Sequence, residues 1–423
     1  MNHPLFNPDT VGKLDKPSFK TELARNPQTV GRSLQLETQG PDPLRIFGLP
    51  TNLNFEFRVL TKPYTIVRQI TQDTLAFLAA AKKTSSIQNR VVFTGRAGCG
   101  KSFVMLQAVE SCVQEGWVVI YIPRGINLVN STTSYTYNIR TQTYLQPAFS
   151  FQTLQRMLSV NRDALAAIPL SEDLVLERQT VRAGTPLSTV IEVGIAERDR
   201  TVAQSPAILE GVMKSLEVQT KYPVLLAVDD FQALYGKTAY RDPHFQHIQP
   251  YHLSLPRMIM EYASGKRNFA RGAVLGALSL AHTNYPLPLE LRDALELQDL
   301  DAHPASPYLK RSKDLLAYTE GLKKLEVPEK LTVKEATGIF EVWKARNAIG
   351  HGYHYHFRLH KPSHITIGWK ANILLHILLL LPPACTTRWT MGISAPGTLY
   401  STMSLVKNRI SPLWKAGSMM EPL

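Results

Sequence analysis

An α/β fold, a parallel sheet flanked by helices, is predicted by three features of the chain. The apolar strand Val91-Val92-Phe93 runs straight into a glycine-rich turn. Beyond the turn, Val104, Ala108, Val109, Cys112 and Val113 recur at helical spacing, and Gly116 is a good stop. Residues 117–122 then form a second apolar strand. Strand, loop, helix and strand make a βαβ unit, whose strands are covered on both faces.

The remaining elements extend this reading. Residues 1–60, rich in Pro, Asn and Gly, read as an extended N-terminal arm able to wrap a partner. A helix is predicted over 64–81 from Ile66, Val67, Ile70, Leu75, Phe77 and Leu78. Residues 131–145 alternate tyrosines with polar residues, as a surface hairpin does, and 160–220 read as mainly helical. Residues 224–228 give a third buried strand, ending at Asp229-Asp230, and 273–280 a fourth, ending near Thr283-Asn284. The main domain is placed at 61–290 and a C-terminal helical region at 291–345. The capping box from Thr332 to Glu335 starts a helix in that region.

Gly95-Arg96-Ala97-Gly98-Cys99-Gly100-Lys101-Ser102 fits G-x-x-x-x-G-K-[ST] at every required position. Glycine opens backbone angles closed to other residues, so successive N–H groups can turn onto phosphate oxygens at the positive end of the following helix. The pattern arises by chance in about one or two chains in a hundred of this length. Correct flanking by strand and helix therefore makes it a strong signal for a P-loop NTPase domain. Residues Gly95 to Ser102, with Phe103 behind them, are the expected nucleotide-binding set. Lys101 would reach the β and γ phosphates, Ser102 and Asp229 would ligate Mg²⁺, and Asp230 could orient an attacking water as a general base. Thr283 or Asn284 could sense the γ phosphate. No Asn/Thr-Lys-x-Asp sequence is present to read guanine, so spacing leaves the base open.

Composition bounds the rest. Of 423 residues 44% are hydrophobic and 19% charged, as in a folded protein. The net charge of +13 favours a polyanion such as RNA. Residues 341–423 hold nine Lys or Arg against two Asp or Glu, so +7 of that charge lies in the tail. Cys99, Cys112 and Cys385 make neither a disulfide framework nor paired metal spacing. The longest apolar run, 373–381, is about half a bilayer span and contains His376. Asp9, Asp15 and Glu22 near the start oppose the Arg-rich, acid-poor pattern of a transit peptide.

The sequence resembles the death-associated-protein-three family, the P-loop proteins of the mitochondrial small ribosomal subunit, and its wording looks like a fungal member. The likeness covers about residues 40–345. It is carried by Phe47-Gly-Leu-Pro50, Glu56-Phe57, Lys62-Pro63, the P-loop, Asn127-Leu-Val-Asn130, Tyr135-Thr-Tyr137, Tyr144-Leu-Gln-Pro147 and Val228-Asp-Asp-Phe-Gln-Ala233. The resemblance implies a matrix protein built into that subunit, touching ribosomal RNA and neighbouring proteins, with bound GTP or GDP. ATP is not excluded. It also implies an ASCE/AAA-like order, with the sensor strand between the Walker A and Walker B strands.

Residues 346–423 depart from the family pattern. Six of the twelve histidines fall between His351 and His376. A translated intron or shifted frame is one reading of this tail, and a metal site at His351, His354, His356 and His360 is another. Three functions follow. The first is a structural ribosomal protein stabilised by its nucleotide. The others are an ATPase or GTPase switch and a signalling adaptor presenting helices to protein partners.

Overall fold

The computed structural model describes residues 14–36, 42–176, 179–196, 204–297, 308–346 and 348, and two short strands at 392–394 and 398–400. The chain divides into two units, 1–367 and 368–423. In the second, Gly392–Ser394 pairs antiparallel with Thr398–Tyr400.

The first unit is organised by five strands: β1 Arg90–Thr94, β2 Val118–Ile122, β3 Val224–Val228, β4 Gly272–Ala277 and β5 Lys323–Glu326. They form one sheet in the order β5-β1-β4-β3-β2. Every pairing is parallel, with Leu226 opposite both Val274 and Ile120. The expected fourth strand thus lies between the first and third. All five carboxyl ends emerge on one side, where open α/β sheets form their ligand crevices.

Both faces of the sheet are buried, and strand alternation decides which residue serves which face. Val92, Val118, Ile120, Val224, Leu226, Val228 and Val274 belong to one core; Val91, Phe93, Val119, Leu225, Ala227, Ala273 and Leu275 belong to the other. Six longer helices complete the layers: α1 Gln69–Ala81, α2 Lys101–Gln114, α3 Pro147–Ala166, α4 Ser205–Val218, α5 Ser254–Ser264 and α6 Val333–Ala345. α1 and α2 supply the second core through Leu75, Leu78, Val104, Met105 and Val109. α3, α4 and α5 supply the first through Leu154, Met157, Val212, Leu216 and Ile259. At roughly 1.5–3 kcal/mol for each large apolar side chain buried, this packing outweighs the weak start of α2 on a glycine. Residues 136–138 and 143–145 form the expected hairpin.

Two expectations change. The arm is folded from residue 14 onward: Ser33–Gln35 pairs antiparallel with Tyr64–Ile66, and short helices occupy Thr21–Arg25, Pro43–Phe47 and Thr51–Val59. Phe19, Leu34 and Phe47 anchor these pieces in the α1–α2 core. The helix predicted over 64–81 accordingly starts at Gln69. Residues 291–345 are not only helical, because β5 comes from them and forms the sheet edge beside β1. The predicted capping box is present: Thr332 Oγ1 accepts from the Glu335 amide and Glu335 Oε2 from the Thr332 amide. The tail histidines, His351 to His376, lie outside the described residues.

Candidate functional site

The glycine loop joins β1 to α2 at the carboxyl edge of the sheet. Gly95, Gly98 and Gly100 have φ of 121°, 83° and 96°, left-handed values that other residues adopt at a cost. At Gly95 there is also no space, since a Cβ would lie 2.7 Å from the Val327 carbonyl oxygen. The loop therefore folds as its glycine spacing requires, and α2 starts at Lys101. The first amides of a helix have no intrahelical acceptor, so the amides of Lys101 and Ser102 open towards the loop.

Lys101 is 6% exposed and curls over this loop. Its ammonium donates to the Gly95 carbonyl at 2.8 Å and the Arg96 carbonyl at 2.7 Å, with Cys99 Sγ at 3.5 Å. Burial lowers its pKa, opposed by Cys99 and Asp229. All three of its donors thus brace the loop, the weakest on the Cys99 sulfur, so a phosphate would have to displace one of them. Arg96 and Ala97 are exposed, and Arg96 pairs with Glu329 at 3.4 Å. Phe103 packs edge-on against Phe57, with ring centroids 5.9 Å apart.

Asp229 ends β3 and is 2% exposed. Its Oδ1 accepts from the Asp230 amide at 2.9 Å, whereas Oδ2 is buried without a hydrogen-bond partner. Burial and the neighbouring Asp230 raise its pKa to about 7, against the Ser102 hydroxyl, the Asp230 amide and Lys101. A buried, unsatisfied carboxylate oxygen beside a serine hydroxyl is the donor set a hard divalent cation completes. Among the described residues no three His, Cys, Asp or Glu side chains converge as a self-sufficient metal cage.

Asp230 takes a left-handed φ of 55° and is raised to about 6 by burial, opposed by Ser279 and Arg124. His282 Nε2 lies 3.7 Å from its Oδ1, and burial and Arg124 lower the imidazole's pKa. Thr283 and Asn284 sit exposed in the next turn, several residues beyond the end of β4. The groups that face Asp230 are instead Ser279, Arg124 and His282.

Other supports carry no motif. Gln232 clamps the ends of β3 and β4 together, donating to the Ser279 carbonyl at 2.8 Å and accepting from its amide at 2.9 Å. Gly125 donates to the Asp229 carbonyl at 2.8 Å, and a Cβ there would meet the Asp229 and Asp230 carbonyl oxygens at 2.8 and 2.9 Å. Arg68 is 8% exposed and bonds the carbonyls of Cys99 and Pro328. Close approach at Gly125 was readable only as a glycine after a strand, and Arg68 had no signal.

The sequence model of the family described as mitochondrial ribosomal death-associated protein 3 matches residues 65–364. Small ribosomal subunit protein mS29 of Schizosaccharomyces pombe is 26% identical over 277 residues, which is 64% of this chain and 57% of that protein. The protein of the same name from Neurospora crassa is 26% identical over 296 residues, 68% of this chain and 62% of its own. That of Mus musculus is 25% identical over 254 residues, 58% and 63% respectively. The matches therefore span less than two thirds of these relatives' lengths. With the family pattern running through most of its length, the chain belongs to the mitochondrial ribosomal death-associated protein 3 family and is a mitochondrial protein.

Proposed function

We propose that the chain is a structural component of the mitochondrial small ribosomal subunit and holds a guanine nucleotide with Mg²⁺ in its phosphate loop. The single observation behind the nucleotide is the arrangement of Lys101, braced on the Gly95 and Arg96 carbonyls with its ammonium turned onto the loop. Asp229, with one carboxylate oxygen unsatisfied, supports a metal at the same place. Mg²⁺ held by Ser102 and Asp229 would neutralise charge on the phosphate tail. The strand order, with β4 between β1 and β3, supports a P-loop NTPase of ASCE type. Guanine rests on the family resemblance, and the small subunit on the names of the relatives. Neighbouring subunit proteins and ribosomal RNA are its proposed partners, the net charge of +13 supporting the RNA. Among the described residues no helix is long and apolar enough to cross a membrane.

A nucleotide bound in the folded state alone stabilises that state by mass action, which needs no turnover. The competing reading, a hydrolytic switch, is favoured by the buried setting of Asp230, which pushes its carboxyl up to about 6, within the range useful to a general base.

The test is to extract the purified full chain, and small-subunit particles containing it, with acid and to identify the released nucleotide. A guanine nucleotide near one per chain, lost in Lys101→Ala, is expected. An adenine nucleotide would overturn the base assignment. Well-folded protein that never yields or takes up nucleotide would overturn the loop's role. In gentle lysates the chain should sediment with small-subunit particles and leave them at high salt. Free migration would count against the ribosomal reading.

A further inference from the structure

A concave site lies at the end of β2, along the free edge of the sheet, and one of its walls, Arg124, also faces Asp230. β2 is an edge strand, so alternate peptide groups point out of the sheet. The groups of Val118 and Ile122 turn inwards: Val118 N–H donates to the Pro223 carbonyl, and the Ile122 carbonyl accepts from Asp229. Those of Val119 turn outwards and are met by Asn161 of α3. The Asn161 carboxamide accepts from Val119 N–H at 2.7 Å and donates to its carbonyl at 2.9 Å. The helix departs from helical angles at Asn161, with φ −111° and ψ 24°, as the carboxamide makes this pairing.

Two residues on, alternation turns the N–H and C=O of Tyr121 outwards in the same way. Tyr121 lines a cavity of about 180 Å³ that runs along this edge. Its walls are the end of β2, the Phe47-Gly48-Leu49 segment, and the first turns of α3 with Phe149, Gln152, Thr153 and Arg156. Its enclosed part has room for one ring system and too little for a peptide strand, and it opens to solvent, so the rest of a ligand can lie in its mouth. Arg124 and Arg156 line it, and no carboxylate does. Arg124 has Asp230 as a nearby charge, whereas among the described residues Arg156 has no hydrogen-bond or ion-pair partner. Burial lowers the pKa of Arg156 with no opposing charge to raise it. A partly buried guanidinium without an anion is a cost that a bound anion removes.

We propose that this cavity binds a nucleoside monophosphate, the donor–acceptor edge of its base paired to the Tyr121 peptide and its phosphate on Arg156. The base would repeat at Tyr121 what the Asn161 carboxamide does at Val119, since every nucleobase carries an acceptor beside a donor. Arg156 supplies the planar fork that suits phosphate. Glycine at position 48, with φ of 84°, lets the chain turn there beside the opening without a side chain. This site does not rest on the nucleotide reading of the phosphate loop.

The test titrates the full chain with AMP by calorimetry, with inorganic phosphate in parallel. AMP lacks the β and γ phosphates that Lys101 would grip. Binding of AMP, weakened about tenfold in Arg156→Gln and partly restored in Arg156→Lys, is expected. The ligand-free Arg156→Gln should melt no lower than the parent, because that side chain ties no other element down and its unpaired charge is a cost. AMP binding insensitive to Arg156→Gln, or absent altogether, overturns the proposal. Inorganic phosphate binding as tightly as AMP removes the part played by the Tyr121 edge.

Discussion

Arg68 Nη1 donates to the Cys99 carbonyl at 2.7 Å, so the residue before α1 holds the phosphate loop from beneath. Its Nη2 reaches the Pro328 carbonyl at 2.8 Å, and its Nε lies 3.6 Å from Glu335 of α6. One guanidinium thus joins the loop, the chain after β5 and the capping box of α6. Arg68→Met would leave two carbonyls and a buried carboxylate without it. A loss of about 3 kcal/mol is expected, from the cost of removing one partner of a buried charge pair. Denaturant unfolding measures this, and an unchanged midpoint would show that the contacts do not hold the loop.

Gly95→Ala should be worse for the loop than for the sheet. The substitution strains a residue at φ 121° and drives a methyl group against the Val327 carbonyl oxygen 2.7 Å away. Destabilisation beyond about 1 kcal/mol is expected where alanine replaces glycine at positive φ. Nucleotide retention, read by acid extraction, should fall with it. Full retention in the variant would mean that the loop geometry is not needed for holding phosphate.

Much of this was legible in the sequence because the strongest local rules coincide at the loop. Glycine spacing, a two-faced apolar strand before it and an amphipathic helix after it all specify one geometry, and the lysine position follows. β5 was not legible. Lys323-Lys324-Leu325-Glu326 is an edge strand whose residues, Leu325 apart, are exposed, so it lacks the apolar run of a central strand. The folded start of the chain was missed for a related reason. Leu34 and Phe47 sit in elements of three and five residues and Phe19 just before another of five, too short to show a period. Arg68, Arg124 and His282 come to the site from separate segments, and only the fold brings them near Cys99 and Asp230.

Asp229 gives the unliganded protein a pH dependence whose sign is fixed. Folded, it holds its proton up to about pH 7; its ordinary value is 3.8. The folded state binds more protons between those values, so stability from this group falls as pH rises through that window. Asp230, raised to about 6, and Glu56 and Glu110, both raised to about 7, act in the same direction. Asp229→Asn should therefore gain stability relative to the parent at about pH 8 and little at about pH 4, in nucleotide-free protein. Melting temperatures across that range test it. A constant difference between variant and parent would place the shift elsewhere. Adding Mg²⁺ with nucleotide should raise the melting temperature of the parent more than that of the variant.

The choice between a stabilising nucleotide and a turnover cycle comes down to Asp230. Its left-handed backbone, φ 55°, is one asparagine also accepts, so Asp230→Asn removes the charge while sparing the turn. Nucleotide retention should survive the change, because Lys101 and the loop glycines are the groups proposed to hold the phosphates. If the nucleotide is structural, parent and variant both release phosphate from GTP at background rate and sediment alike with the small subunit. If Asp230 activates water, the parent turns over GTP at a rate that rises with pH through about 6, where its carboxyl ionises. The variant then loses about a hundredfold or more, the usual contribution of a general base. That second pattern would sink the structural reading, and background rates in both proteins would sink the catalytic one.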